Sequence, residues 1–153
     1  MKHTFVLDES ILYHAIQVME SKHFRPAAKV VELVAKNCHH QIAMDSILRK
    51  KSLAILDELR RDKKFAANAM MPVIEGILTN PAKRLYSGKE APPLQDESGY
   101  PQDDVFLIRI ANQFNAILVA DDHELIRSIE NKPVGQVKAL LSQDAISYLK
   151  EPE

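Results

Sequence analysis

The sequence predicts an α/β fold, a three-layer α/β/α sandwich around a central, mainly parallel sheet. Short apolar segments with strand character alternate with longer segments whose apolar residues recur at helical spacing. Residues 116–120 are apolar throughout, which is typical of a strand covered on both faces, as in parallel sheets. With 153 residues, 46% of them hydrophobic, the chain is long enough for one domain with a real core, which we place at residues 1–150.

The elements of the first half follow from hydrophobic periodicity and from proline positions. Pro26 suits the first turn of a helix because its ring fixes φ near the helical value. Pro72 predicts a bend in a later helix. The predicted strands are residues 4–7 and 41–44, and the predicted helices are residues 10–19, 26–36, 46–61 and 65–78.

The second half begins with a long loop at about residues 80–101, rich in proline and glycine and poor in apolar residues. A loop of that length inside a compact domain is usually functional or mobile. Beyond it the pattern predicts a final helix that Ser142 caps and that runs through Tyr148. The other predicted elements are helices at 105–114 and 122–130 and strands at 116–120 and 137–140.

Composition excludes several classes of protein. The formal net charge of −1 gives no global electrostatic case for binding nucleic acid, so such contacts would need a local basic patch. Cys38 is the only cysteine, which rules out an intramolecular disulfide and favours a reducing compartment. The apolar run at the N-terminus is too short for a signal peptide, and no segment has the length of a membrane span. We therefore expect a cytoplasmic protein with no membrane partner.

Four aspartates stand out by position: Asp8, Asp45, Asp104 and Asp122. Each follows a predicted strand or opens a predicted helix. The carboxyl ends of parallel strands share one edge of the sheet, so acids far apart in sequence are expected to meet there. Clustered carboxylates repel one another and call for a cation. Oxygen ligands alone select hard ions, so the expected cofactor is Mg²⁺ or Mn²⁺.

Helix capping is the alternative explanation for each of these acids. Aspartate is a favoured N-cap residue, and all four stand where helices are predicted to begin. Asp121 and Glu124 also have the spacing of a capping box. Capping accounts for any one acid, but it does not predict which strands end in acids.

Three segments of the chain resemble the PIN domains, a family that includes the VapC-type toxins. They are Phe-Val-Leu-Asp-Glu-Ser-Ile-Leu at residues 5–12, Asp-Val-Phe-Leu-Ile-Arg-Ile-Ala at 104–111, and Asn-Ala-Ile-Leu-Val-Ala-Asp-Asp-His-Glu-Leu at 115–125. By this resemblance, Asp8, Asp104 and Asp122 match three metal-site acids of the family, with the last two 18 residues apart as its pattern expects. Ala120 departs from the threonine or serine common at that point.

The second acid of the family pattern is less clearly matched. Asp45 is the best candidate because it ends a strand, and Glu58, deep in a helix, is a weaker one. Ser10, Asp103 and Asp121 are candidates for supporting the metal ligands. The resemblance thus implies an endoribonuclease that hydrolyses RNA phosphodiester bonds with Mg²⁺ or Mn²⁺, acting as a homodimer and as the toxin of a toxin–antitoxin pair with a small antitoxin partner.

Two basic runs in the middle of the chain are candidate RNA contacts, since phosphate contacts supply non-specific affinity. A solvated helix face is the commoner explanation of such runs. They contain Arg49, Lys50 and Lys51, and Arg60 and Arg61. Residues 38–40, Cys-His-His, have no matching cluster elsewhere, so zinc is not expected.

Two other functions compete with the ribonuclease. The first is a catalytically inactive PIN-like module that binds RNA or protein, which Ala120 and the unclear second acid would favour. The second is a haloacid-dehalogenase-like phosphatase. That class places Asp-x-Asp after the first strand, whereas this chain has Asp8, Glu9 and Ser10 there.

Overall fold

A five-stranded, wholly parallel sheet forms the centre of the molecule, which confirms the predicted fold class. The structure is a computed structural model, and it describes residues 3–17, 25–37, 39–66 and 68–150. The spatial strand order is β3-β2-β1-β4-β5. The strands are β1 (Thr4–Leu7), β2 (Gln41–Met44), β3 (Arg84–Tyr86), β4 (Ile117–Val119) and β5 (Lys138–Leu140).

Helices cover the sheet and complete the three-layer α/β/α sandwich. Helix α1 packs against α2 and α3, and α2 also contacts α5 and α8. Helix α6 crosses β1, β2 and β4. The helices in the described part of the chain are α1 (Glu9–Ile16), α2 (Arg25–Lys36), α3 (Ser46–Arg61), α4 (Lys63–Ala66), α5 (Met70–Thr79), α6 (Val105–Phe114), α7 (His123–Asn131) and α8 (Ser142–Leu149).

Strand β1 lies at the centre of the sheet, between β2 and β4. Its pairing with these two strands determines which residues of the three strands lie side by side. Phe5 pairs with Ile42 on one side and with Ile117 on the other. Phe5 and Val6 are fully buried because helices cover both faces. Aliphatic side chains dominate the rest of the core, and the largest fully buried ones are Ile11, Ile16, Leu48, Leu56, Leu59, Ile74, Ile77, Leu107, Ile108, Ile110 and Leu118.

The predicted loop at residues 80–101 contains structure that the sequence reading missed. A short 3₁₀ turn, Pro81–Lys83, leads into β3, which pairs in parallel with β2 at the edge of the sheet. Three residues give too short a pattern to distinguish a strand from a loop. The strand forms because it pairs with β2, which is distant from it in sequence.

Burial and hydrogen bonds hold the rest of the segment, after β3, against the domain. Ala91 and Tyr100 are buried, and the Tyr100 hydroxyl donates to the Lys132 carbonyl. The Arg109 guanidinium Nε donates to Glu97 at 2.6 Å, and a second nitrogen donates to the other carboxylate oxygen. This two-point contact fixes the approach of the chain to the start of α6.

Two helix predictions differ from the structure. The helix expected at residues 65–78 is two helices, α4 and α5, and the break lies before Pro72, which sits in the first turn of α5. The Asn68 side chain accepts from Met70 N at 2.8 Å and donates to the Ile16 carbonyl, which fixes the break. Ser142 is the first residue of α8 rather than its N-cap. The predicted end of the first helix, beyond residue 17, lies outside the described residues.

None of the helices in the described ranges is both long enough and apolar enough to cross a membrane.

Candidate active site

The acids selected from the sequence stand at the carboxyl edge of the sheet. Asp8 directly follows β1, Asp45 follows β2, and Asp122 comes two residues beyond Ala120, after β4. Because β2, β1 and β4 are parallel neighbours, the three residues share one edge. Asp104 reaches the same region from the start of α6, which crosses these three strands.

Three of the four acids cap helices, as the alternative explanation expects. Asp8 Oδ1 accepts from Ser10 N at 3.4 Å at the start of α1. Asp122 Oδ1 accepts from the backbone N–H groups of Glu124 and Leu125, at 3.0 and 3.2 Å. The cap of α7 is therefore Asp122, and the capping box predicted for Asp121 is wrong.

Asp104 is the exception, and it is the acid that capping does not explain. It occupies the N-cap position of α6, yet its side chain makes no capping hydrogen bond. Partial burial raises the pKa of Asp104, and the negative charges of Asp8, Asp122 and Asp103 raise it further. These acids therefore lie close enough to Asp104 to repel it.

Asp8 is the most strongly perturbed acid of the group. Burial raises the pKa of the Asp8 carboxyl to about 7, and a hydrogen bond to Glu9 together with its negative charge adds to the effect. Hydrogen bonds from the Ser10 backbone and side chain act in the opposite direction. Ser10 thus stabilises the ionised Asp8 carboxyl, and its role beside a metal ion stays a prediction.

Glu9 is a site residue that the sequence reading missed. Glu9 Oε2 is buried, and it has no hydrogen-bond donor in the described part of the chain unless the Asp8 carboxyl carries its proton. A buried carboxylate oxygen without a donor is costly, and a cation would satisfy it. Its position next to Asp8, in the first turn of α1, was the available signal.

Lys51 supplies a positive charge beside these acids. Its Nζ lies 4.0 Å from Glu9 Oε1 and 5.2 Å from the centroid of the Phe106 ring. The charge of Lys51 lowers the pKa of Asp104, against the larger effects of burial and of the neighbouring acids. One lysine does not balance this group of carboxylates, so the edge retains excess negative charge.

Asp103 and Asp121 were both candidates for supporting the ligands, and they differ. Asp103 is exposed, and it acts on Asp104 through its charge. Asp121 accepts from Ser142 N and Ser142 Oγ at 2.9 and 2.7 Å, and its other oxygen lies 3.9 Å from His14 Nδ1. Asp121 therefore joins the end of β4 to α8.

Asp45 is the most deeply buried of the four acids, with 1% of its surface exposed. Its Oδ1 accepts from Leu48 N at 2.9 Å, which caps α3, and its Oδ2 accepts from Ala91 N at 3.0 Å. Ser46 N donates to the Lys89 carbonyl at 3.1 Å beside this contact. Asp45 therefore holds the segment after β3 against the start of α3. Its assignment as a metal ligand stays a prediction.

Replacing Asp45 by alanine is expected to lower the free energy of unfolding by about 2–4 kcal/mol, because two buried backbone N–H groups lose their acceptor. Asparagine keeps one acceptor oxygen and should cost less. Urea denaturation measures the change. Asp57→Ala, an exposed position on the same helix, is the control. A loss of stability no greater than that of the control would show that the two contacts contribute little.

The remaining candidates divide by their position along α3. Arg49, Lys50 and Lys51 lie near its start, and Lys51 is the one that contacts an acid of the edge, Glu9. Glu58, Arg60 and Arg61 are exposed near its end, about 20 Å along the axis from the first turn at 1.5 Å per residue. Arg60 pairs there with Glu75 and Asp57. The structure therefore does not bring Glu58, Arg60 or Arg61 to the carboxyl edge.

The donor chemistry of the edge fits a hard divalent cation, since every candidate ligand is a carboxylate oxygen. The unpartnered Oε2 of Glu9 and the mutual repulsion at Asp104 both favour added positive charge. Within the described ranges, no three aspartate, glutamate, histidine or cysteine side chains are already gathered around one point as metal ligands. Carboxylates that repel each other are expected to stand apart when no cation holds them.

Comparison with known proteins assigns neither a family nor a function to this site. No protein-family model matches the sequence, and no curated protein is significantly similar to it.

Proposed function

We propose that the protein is a metal-dependent endoribonuclease that hydrolyses RNA phosphodiester bonds. The observation that carries the proposal is Asp104, a half-buried acid without a capping bond, whose pKa is raised by burial and further by the charges of Asp8, Asp122 and Asp103. A purely structural role leaves this repulsion unexplained. The resemblance of residues 5–12, 104–111 and 115–125 to PIN domains supports RNA as the substrate.

In this proposal Asp8, Asp104 and Asp122 hold Mg²⁺ or Mn²⁺, and Glu9 offers a further oxygen. When bound, such an ion polarises the phosphate and lowers the pKa of the attacking water. The parallel strands and the head of α6 hold these acids on rigid elements, which favours precise placement of the substrate. Ser10 orients Asp8, and Lys51 partly offsets the negative charge that would repel the RNA backbone.

The same resemblance supports two further proposals: the protein forms a homodimer, and it is the toxin of a pair whose small antitoxin partner blocks it. The single cysteine, Cys38, supports the further proposal that the protein acts in the cytoplasm. Arg49, Lys50 and Lys51 are the proposed phosphate contacts, because they lie at the same end of α3 as the acids.

A catalytically inactive binding module is the second candidate function, and three observations favour it. Both oxygens of Asp45 already accept backbone hydrogen bonds, and the Lys51 ammonium stands beside Glu9. Ala120 is fully buried and provides no hydroxyl at the end of β4.

Incubation of the protein with structured and unstructured RNA distinguishes the two functions. The ribonuclease predicts internal cleavage with Mg²⁺ or Mn²⁺ and none with EDTA, since the acids alone cannot activate water. Calorimetric titration with Mn²⁺ gives a separate measure of metal binding. RNA binding without cleavage under any metal would reject the ribonuclease and support the binding module.

A further inference from the structure

An exposed tyrosine lies at the same sheet edge as the acids. Tyr86 ends β3 and keeps 42% of its surface accessible, the largest value for a large hydrophobic side chain in the described part of the chain. It pairs in register with Met44, the residue before Asp45. Tyr86 therefore belongs to the carboxyl edge that also presents Asp8 and Asp122.

Arg49 places its charge over this ring. The guanidinium carbon of Arg49 lies 5.3 Å from the centroid of the Tyr86 ring. Both residues are held by short backbone connections, because Ser87 N donates to the Met44 carbonyl and Asp45 caps α3, on which Arg49 lies. The cation and the ring are thus part of a preformed surface.

A cleft of about 560 Å³ opens beside the start of α3, lined in part by Lys50, Lys51 and Glu90. The lining therefore carries two lysines and one glutamate, although the whole chain has a net charge of −1. This local excess favours an anionic ligand.

Lys51, one of the lysines that line the cleft, lies close to the acids of the carboxyl edge. Neighbouring strands are about 4.8 Å apart, so β3 stands roughly 10 Å from β1 and Asp8. Lys51 lies between the two, since it lines the cleft and also contacts Glu9. A single strand of nucleic acid crossing this edge would meet the ring first, the lysines next and the carboxylates last.

We propose that Tyr86 and Arg49 form a stacking platform for a base of single-stranded RNA, with Lys50 and Lys51 contacting its phosphates. The choice of RNA rests on the proposed function, whereas the preference for a single strand rests on the platform. Bases inside a duplex are already stacked and cannot reach a side-chain ring, while unpaired bases stack on aromatic rings. The platform thus names the substrate class of the site as unpaired RNA.

Fluorescence anisotropy in EDTA tests the platform without any dependence on cleavage. The probes are a short unstructured RNA with a fluorescein label, the same RNA with abasic positions, and the same RNA annealed to its complement. The wild-type protein should prefer the unpaired RNA. Tyr86→Ala should weaken its binding roughly 5- to 150-fold, the range for loss of one stacked base, and Tyr86→Phe should bind nearly as the wild type does.

The edge strand on the other side of the sheet from β3, which is β5, offers a matched control. Lys138 opens β5, and its Nζ lies 4.7 Å from the Tyr148 ring centroid. Arg49→Ala should weaken binding, whereas Lys138→Ala, which removes the same kind of pair, should not. Circular dichroism and thermal melting check that each variant is folded.

Three results would overturn the platform: equal binding of duplex and single strand, unchanged binding by Tyr86→Ala, or an equal loss for base-containing and abasic RNA. Stacking-dependent binding by a protein that cleaves no RNA with Mg²⁺ or Mn²⁺ would retain the platform and reject the ribonuclease. Metal-dependent cleavage with no effect of Tyr86→Ala on binding would retain the ribonuclease and reject the platform.

Discussion

Asp104→Asn is expected to reduce metal-dependent RNA cleavage by at least about 100-fold, the upper end of the loss when a group supporting a metal site is removed. The variant should be at least as stable as the wild type in EDTA. Asp104 makes no capping hydrogen bond that asparagine could lose, and the substitution removes a charge that Asp8, Asp122 and Asp103 repel. Loss of activity without loss of stability is therefore the signature of a functional acid.

The same substitution at Asp8 and at Asp122 gives an independent comparison. Asparagine caps helices about as well as aspartate, so both variants should fold while losing most cleavage. Asp144→Asn, an exposed acid in the first turn of α8, is the control and should keep full activity. Initial cleavage rates with Mn²⁺ and urea denaturation in EDTA measure the two effects. Wild-type rates in the Asp104, Asp8 and Asp122 variants would leave these acids with structural roles only.

The sequence predicted the elements whose signals are local. β1, β2, α3 and α6 have the predicted bounds because each has a clear apolar pattern with an aspartate directly at one end. The alternation of these elements was sufficient to predict the parallel sheet. The shared edge of Asp8, Asp45 and Asp122 then follows from the strand order.

The features that could not be predicted depend on contacts between distant residues. The bond from Ala91 N to Asp45 spans 46 positions, and it explains why Asp45 is buried. Lys51 meets Glu9 only because α1 packs against α3. β3 exists because β2 provides its partner. Position at a strand end or a helix start thus located the acids, but it did not separate Asp104, which lacks a capping bond, from Asp45, whose two oxygens both accept hydrogen bonds.

The pH dependence of stability is expected to reveal Asp8. Burial and Glu9 raise the pKa of Asp8 from 3.8 to about 7 in the folded protein. The folded state therefore holds a proton that the unfolded chain releases between these two pH values. Below pH 3.8 the contribution of this proton to stability is complete, and it is lost as the pH rises to about 7. At 1.36 kcal/mol per pKa unit, the loss is at most about 4 kcal/mol.

Added Mn²⁺ should reverse this trend, because the ion binds the ionised carboxylate. Its stabilising effect is expected to be small at about pH 5 and to grow as Asp8 loses its proton towards about pH 8. Urea denaturation at both pH values, with Mn²⁺ and with EDTA, measures the two effects together. Asp8→Asn should flatten the profile in EDTA and weaken the response to Mn²⁺, whereas Asp144→Asn should leave both unchanged. A profile in EDTA that is equally steep in the wild type and in Asp8→Asn would assign the titration to another group, and an undiminished response to Mn²⁺ in that variant would place the ion away from β1.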